Sequence, residues 1–512
     1  MWIFRNQIFR CFPVWGCLLA LSFLSCRRDA TLERALTFAG ENRQELERVL
    51  LHYKDDSLKL AAARFLIENM PYHSYEEGGY VLPGGKKYRP QLTDFPTEEA
   101  CKAHLDSLTK AGRIARRDRY KDSRTLDSAF LVRNIDLAFE AWQKPWAKQV
   151  PFPIFCRYIL PYRISREAPS GLRKELMDRF IPLLDSAGAA TPLEACSLLN
   201  VKLRTVMKYK PNSLPFYPTI EETYAWGGGL CKHMCNLGLF AMRAAGIPVA
   251  LEQTVWSRAD FGHTWGTVWS EGRFHCFAPG EELPGEYTER LNGKGYLRPA
   301  KVYRSHFELC SVPDGGEEVA DDGYSPWLKS SLLEDVSLEY LEKPLEIRVA
   351  TDRVSEFAQP KGQVYLCAYN HYKWVPIAMG CRTDTVCRFP RVRGGNIFLA
   401  ADAPTGKELR FLTTPFYVDI NGEMRRFTPH LERREAFTFA KELVGRPYTL
   451  HYWDVEAEAF LPLDYSSTND STQSHTNIPE NALLWFDVPN CAVSQRVFFL
   501  EDGNVIAVHH IE

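Results

Sequence analysis

Three consecutive glycines, Gly227, Gly228 and Gly229, stand just ahead of Cys231, and an apolar-periodic run then continues to Ala245. Gly246 stops that run where a left-handed residue ends a helix, with Pro248 two residues on. The glycines permit a close approach that side chains would block. A helix beginning at Cys231 would present unpaired N–H groups and a positive dipole end to the sulfur. Those groups stabilise a thiolate and can donate to a developing oxyanion. Downstream, His263, Thr264 and Trp265 open an alternating stretch through Trp269 that reads as a strand. A histidine at the start of that strand could meet the helix N-terminus across a small α/β fold. There it would take the thiol proton and return it to a leaving amine.

Gly229-Leu-Cys231, the terminal Arg243-Ala-Ala-Gly-Ile-Pro248 and His263-Thr-Trp265 together resemble the transglutaminase-like superfamily, whose members share a papain-like Cys-His-Asp site. The resemblance implies a papain-like α+β core in which Cys231 is the nucleophile and His263 the general base. It implies acyl transfer through a thioester on Cys231, with no cofactor. The third member departs from the pattern. In Phe274-His-Cys-Phe-Ala-Pro279, Ala278 stands where the family places its Asp, and an alanine cannot hold an imidazole tautomer. Glu281, with Glu282 beside it, is the candidate substitute, and His275 is another polar neighbour.

Trp226, Gly229 and Trp265 are candidate substrate-binding positions. Core packing is an equal reading for Trp226, and Trp265 and Trp269, with Val268 opposite, form a packing pattern in their own right. Trp256 and Asp260 are candidate cleft-rim residues. Cys235 lies one helical turn from Cys231, which raises a metal reading with His233, His263 or His275. That spacing lacks the second closely spaced ligand pair of a zinc site, so no metal is expected.

Around this core the texture changes twice. Residues 30–70 and 98–145 carry helical periodicity, with Asp55, Asp56 and Ser57 as capping residues before the second helix and 74–96 a Gly/Pro/Tyr-rich loop. Short β-type runs at 345–349, 363–368, 396–400 and 410–412, then at 448–453, 482–486 and 496–500, predict sandwich-type all-β domains. The polar stretch 466–477 reads as a loop between strands. The expected organisation is a multidomain α+β chain. A signal peptide (1–25), a helical N-terminal region (26–145) and the transglutaminase-like domain (146–300) precede a β-sandwich domain (325–432) and a C-terminal β-rich domain (433–512).

The amino-terminal segment has a signal's layout. Arg5 and Arg10 precede an uncharged apolar stretch from 11 to 25, too short for a comfortable membrane span. Ser25 directly before Cys26 resembles a bacterial lipoprotein signal, in which Cys26 is lipidated and tethers the chain to a membrane. An extracytoplasmic protein on the outer membrane of a Gram-negative bacterium is the expectation. Of 14 Cys, removal of Cys11 and Cys17 with the signal and lipidation of Cys26 leave 14 − 3 = 11, an odd number with no disulfide-dense spacing.

A net charge of −2, from 62 basic and 64 acidic residues, argues against electrostatic nucleic-acid binding. The functional expectation is a cysteine peptidase or amidase acting on peptide or cell-envelope amide bonds, with a peptide or peptide-glycan substrate. The alternative is a degenerate module of the same fold that binds peptides or glycans at the cell surface.

Overall fold

Charge pairing and two close-packed glycines make a strand of a segment whose composition reads as loop. The computed structural model describes residues 30–91, 94–111, 115–210, 216–255, 262–292, 298–310, 332–352, 361–370, 372–403, 408–440, 447–466, 472–488 and 497–507. In it β1 (Ser74–Val81) pairs antiparallel with β2 (Lys87–Tyr88) and with β3 (Ala115–Lys121). Glu76 faces Arg119 across β1 and β3, and their side chains meet at 3.2 Å. A Cβ on Gly78 would stand 2.2 Å from that of Phe216, and one on Gly79 2.9 Å from the Tyr88 carbonyl. The glycines therefore mark close backbone approach within a strand rather than a turn. The N-terminal region is thus helical with an inserted three-stranded sheet, where helix and loop alone were expected.

Its helices follow their caps. Ser57–Asn69 begins where the Asp56 carboxylate accepts the Lys59 N–H, as expected. Ser128–Trp142 starts on Asp127 and buries Leu131, Asn134, Ile135, Ala138 and Ala141, one stripe at helical spacing. Chain contacts divide the protein into two units. The first holds Met1–Thr191, Pro211–Gly227 and Phe240–Pro248; the second holds Pro192–Lys210, Gly228–Leu239 and Val249–Glu512.

Within the second unit, five antiparallel strands form the sheet that carries the candidate site. They are β4 (Val249–Thr254), β5 (His263–Ser270), β6 (Arg273–Phe277), β7 (Tyr303–Ser305) and β8 (Leu333–Asp335), in the order β8-β7-β4-β5-β6. One face of β5 presents Thr264, Gly266 and Val268. The opposite face carries Trp265, which joins Cys276, Ala278, Tyr287, Leu291, Val302, Val336 and Tyr340 in one buried cluster. The same unit contains the C-terminal β region, all antiparallel. The eight-stranded sheet that begins with Leu345–Ala350 and the five-stranded sheet that includes Tyr448–Asp454 bury a common apolar cluster. Phe398 and Phe416 from the former share it with Trp453, Trp485 and Phe499 from the latter. The stretches 325–432 and 433–512 therefore share a core. Among the described residues no helix is long and apolar enough to cross a membrane. Residues 1–29, with Cys26 and the expected signal, lie outside the described residues.

A buried ion pair ties the central strands of the site sheet. Glu252 on β4 is 0% exposed and Arg304 on β7 is 3% exposed, and they are joined through two N–H donors. The Trp265 indole N–H donates to Glu252 Oε2 at 2.8 Å, and the Tyr340 hydroxyl donates to the same oxygen. Arg304 also reaches Glu339 and lies 3.6 Å over the Phe274 ring. Removing one partner of such a pair strands the other charge in a poorly solvating interior. Glu252→Ala should therefore lower unfolding stability by about 3–5 kcal/mol, read as a shift in the urea midpoint. A loss below about 1 kcal/mol would show the network to be dispensable.

Candidate functional site

The helix Cys231–Ala244 is built to begin and end where the glycines stand. Gly227 closes the preceding helix Ile220–Trp226 in left-handed geometry. Gly228, at φ +132°, pairs with Lys208 in a short parallel bridge, where a Cβ would fall 1.9 Å from the Lys208 carbonyl. Gly229 lies beneath His233, and a Cβ there would meet its ring at 2.9 Å. Each glycine thus answers a separate steric demand. At the far end, Gly246 N–H donates to Arg243 O and Ile247 N–H to Met242 O, the paired bonds of a Schellman stop.

Leu230 is the N-cap. Its carbonyl accepts from the N–H groups of His233 and Met234, while its own N–H donates to His233 Nδ1 at 3.3 Å. His233 thus does at the third helical position what Glu does in a capping box. Burial, with Lys232 beside it, pushes its pKa down to about 4, which keeps the ring neutral and able to accept. Cys231 follows at the first helical position. Its N–H has no intrahelical acceptor, and its side chain is partly exposed.

The helix lies on the Thr264–Gly266 face of β5. A Cβ on Gly266 would meet Leu239 at 2.8 Å, and the Cys235 thiol lies close enough to the Thr264 hydroxyl for that hydroxyl to act on its ionisation. Cys235 is one turn along from Cys231, and Thr264 directly follows His263. That places Cys231 and the first residue of β5 at the same end of the helix–strand pair, while the His263 ring lies on the Trp265 side of the strand. His263 starts β5 opposite Thr254. Its Nε2 lies 2.7 Å from the hydroxyl of Tyr287, and its ring stacks with Trp265 at 6.1 Å.

The remaining candidates are distributed as follows. Trp265, expected to face substrate, is 0% exposed and bonded to Glu252, so it forms the floor beneath His263. Gly229 is buried and makes room for His233. Trp226 ends its helix half-buried against Tyr80, Leu105 and Phe216. Ala278 sits in the apolar cluster with Tyr287, and Glu281 is exposed on the turn that follows, its N–H donating to the Ala278 carbonyl. Trp256 and Asp260 lie outside the described residues. Cys235 is fully buried, and burial holds its thiol well above the ordinary range. Among the described residues no cysteine is joined in a disulfide. Among the described residues, no group of three or more His, Cys, Asp and Glu side chains is placed to hold a metal.

Two residues emerge that the motifs did not reveal. Fully buried Asn200 pins the turn after β6: its amide donates to the carbonyls of Ala278 and Glu282 at 3.0 Å each and accepts from Gly280 N–H at 2.7 Å. The other is Tyr287. Neither carries a local pattern; only the tertiary fold places them.

The His233 cap has a pH signature. Its folded pKa lies below the unfolded value, so the stability it contributes is full above about pH 6.5 and is lost as pH falls toward 4. The loss is on the order of 3 kcal/mol. His233→Gln keeps an acceptor but does not titrate. Its urea midpoint should fall less between pH 7 and pH 4.5 than that of the parent; equal slopes would remove His233 from the account.

Residues 183–279 match the model of the transglutaminase-like superfamily, a span that holds Cys231, His263 and Ala278. No curated protein matches the chain. Among solved structures, a protein described as a candidate cysteine protease from Cytophaga hutchinsonii is similar at 17% identity. The match covers 24% of this chain and 41% of that one, with a TM-score of 0.20. Red sea bream transglutaminase is similar at 10% identity over 89% of this chain and 79% of its own, with a TM-score of 0.22. Scores this low do not establish a common arrangement of the whole chain. The matched span includes the helix and strand that carry the cysteine and the histidine, and over it the chain carries a transglutaminase-like domain.

Proposed function

We propose that this chain is a cysteine peptidase or amidase that cleaves peptide or cell-envelope amide bonds, with Cys231 as nucleophile and His263 as base. The observation that carries the reading is a partly exposed sulfur at the first position of a helix, at the end of the helix–strand pair where His263 stands. His263 Nε2 is engaged by Tyr287, so proton traffic with the thiol runs through Nδ1. The thiol proton passes to Nδ1 as sulfur attacks the amide carbon. The oxyanion takes the Cys231 N–H, and Nδ1 returns the proton to the leaving amine as the C–N bond breaks. Water, deprotonated by the same nitrogen, then cleaves the thioester. Hydrolysis is favoured over transfer to an amine because water is the abundant acceptor outside a cell.

Iodoacetamide labelling read by peptide mapping tests the pair directly. At pH 6, Cys231 should alkylate at least about ten-fold faster in the parent than in His263→Ala. Cys231→Ser should abolish release of new amino groups from casein or from muropeptides. A second reading, a module that binds peptides or glycans and has lost its chemistry, is favoured by Ala278. It predicts equal, slow labelling of both proteins.

The proposal includes export and tethering through Cys26, on the strength of the apolar stretch and the Ser25-Cys26 junction. Cys26→Ser should move the protein from the membrane pellet to the supernatant of a lysate. An unchanged distribution would dispose of the lipid anchor.

A further inference from the structure

The histidine of a thiol–imidazole pair needs a partner on its far nitrogen. That partner fixes which nitrogen carries the proton and accepts from the ring once it is charged. At Ala278 the chain offers no side-chain acceptor. Tyr287 belongs to the same buried cluster as Ala278 and is itself 0% exposed. Its oxygen stands 2.7 Å from His263 Nε2, its ring centroid 6.4 Å from the imidazole and 6.2 Å from Trp265. We propose that Tyr287 is the positioning residue of this site, a phenol doing for His263 what a carboxylate at position 278 would do. The inference rests on the Cys231–His263 reading above.

The placement of Tyr287 is built rather than incidental. Asn200 locks the turn that leaves β6. The helix Glu286–Asn292 then begins, with Glu286 accepting the Leu283 N–H at 3.0 Å. Thr288 is held to Cys276 on β6 at 3.2 Å. Tyr287 is thereby fixed from both sides, nine residues beyond Ala278.

A phenol differs from a carboxylate in a way that can be measured. As an acceptor it holds the Nε2–H tautomer and leaves Nδ1 to take the thiol proton. Being neutral, it stabilises the resulting imidazolium less than a carboxylate would. Among the other titratable groups around the pair, Glu252 is paired with Arg304 and bonded by Tyr340, and the Cys276 thiol is pushed up to about 11 by burial. Glu281, exposed on the turn, acts electrostatically on Cys235, one turn from Cys231.

The test is the pH profile of Cys231 alkylation by iodoacetamide in four proteins: parent, His263→Ala, Tyr287→Phe, and Tyr287→Phe combined with Ala278→Asp. Tyr287→Phe keeps the ring and removes only the oxygen. Its acid limb should move up by about one pH unit, so that labelling at pH 6 falls about ten-fold. The double variant should regain that rate, its limb lying at or below the parent's. If Tyr287→Phe matches the parent while His263→Ala loses reactivity, the tyrosine assignment is wrong and the Cys–His reading survives. If His263→Ala also matches the parent, both fall. A measurement free of Tyr287 variants is long-range proton–nitrogen correlation on histidine-labelled parent, with the His263 signals identified by their loss in His263→Ala. Nε2–H is expected, and a proton on Nδ1 in the neutral ring would overturn the assignment.

Discussion

The site depends on how closely one helix can lie on one sheet. Gly266 on β5 and Gly238 on the cysteine helix each remove the side chain that would hold them apart. A Cβ at Gly266 would strike Leu239 and Phe277, and one at Gly238 would lie 2.6 Å from Pro279. Interiors pack at crystal-like density, so a displaced helix cannot be absorbed locally. Every downstream relation uses this contact. It brings Cys235 to Thr264, and one helical turn away it brings Cys231 to the end of the strand that carries His263. The pinned turn after β6 completes the frame, since Pro279 is both the residue that Gly238 admits and a neighbour of the carbonyl held by Asn200.

Much of this was legible because the signals were local. The start and stop of the cysteine helix follow from glycine conformation and from the absence of a continuing N–H partner, and both are written into adjacent residues. Gly246 in left-handed geometry and the paired bonds to Met242 and Arg243 are what the Gly-Ile-Pro ending predicts. The alternation from His263 to Trp269 gave β5 correctly, and the strands at 345–349, 396–400 and 448–453 stand where β-branched and aromatic runs placed them.

What was not legible is tertiary. Residues 74–81 carry two glycines and no apolar alternation, so only the pairing with Arg119 and the packing of Phe216 reveal a strand. The second half of the polar stretch 466–477 likewise joins the strand Thr472–Glu480. There His475 is buried with its ring nitrogen 2.8 Å from the Tyr448 hydroxyl, so a polar strand was read as a loop. Trp265 reads from the sequence both as a substrate-binding candidate and as part of a packing pattern, and it is wholly interior, its N–H bonded to Glu252. Polarity predicts exposure only when no buried partner is available. Tyr287 was missed for the converse reason: its importance comes from one oxygen, and nothing in its neighbours announces where that oxygen will be.

Ala278 is therefore weaker evidence for a lost site than the alignment of motifs makes it. A catalytic imidazole requires three things of its outer partner: a lone pair at hydrogen-bond distance, a fixed direction, and a field that favours the charged ring. A carboxylate supplies all three. In the role proposed for it, Tyr287 would supply the first two, its oxygen at 2.7 Å and its ring buried. Only the third is reduced. Losing field while keeping direction costs far less than losing the tautomer, because a wrongly protonated ring cannot act as a base at all. A buried tyrosine–histidine pair is not by itself a catalytic signature, since Tyr448 and His475 form one at 2.8 Å in the C-terminal β region; the Tyr287 hydroxyl needs a partner simply because it is buried.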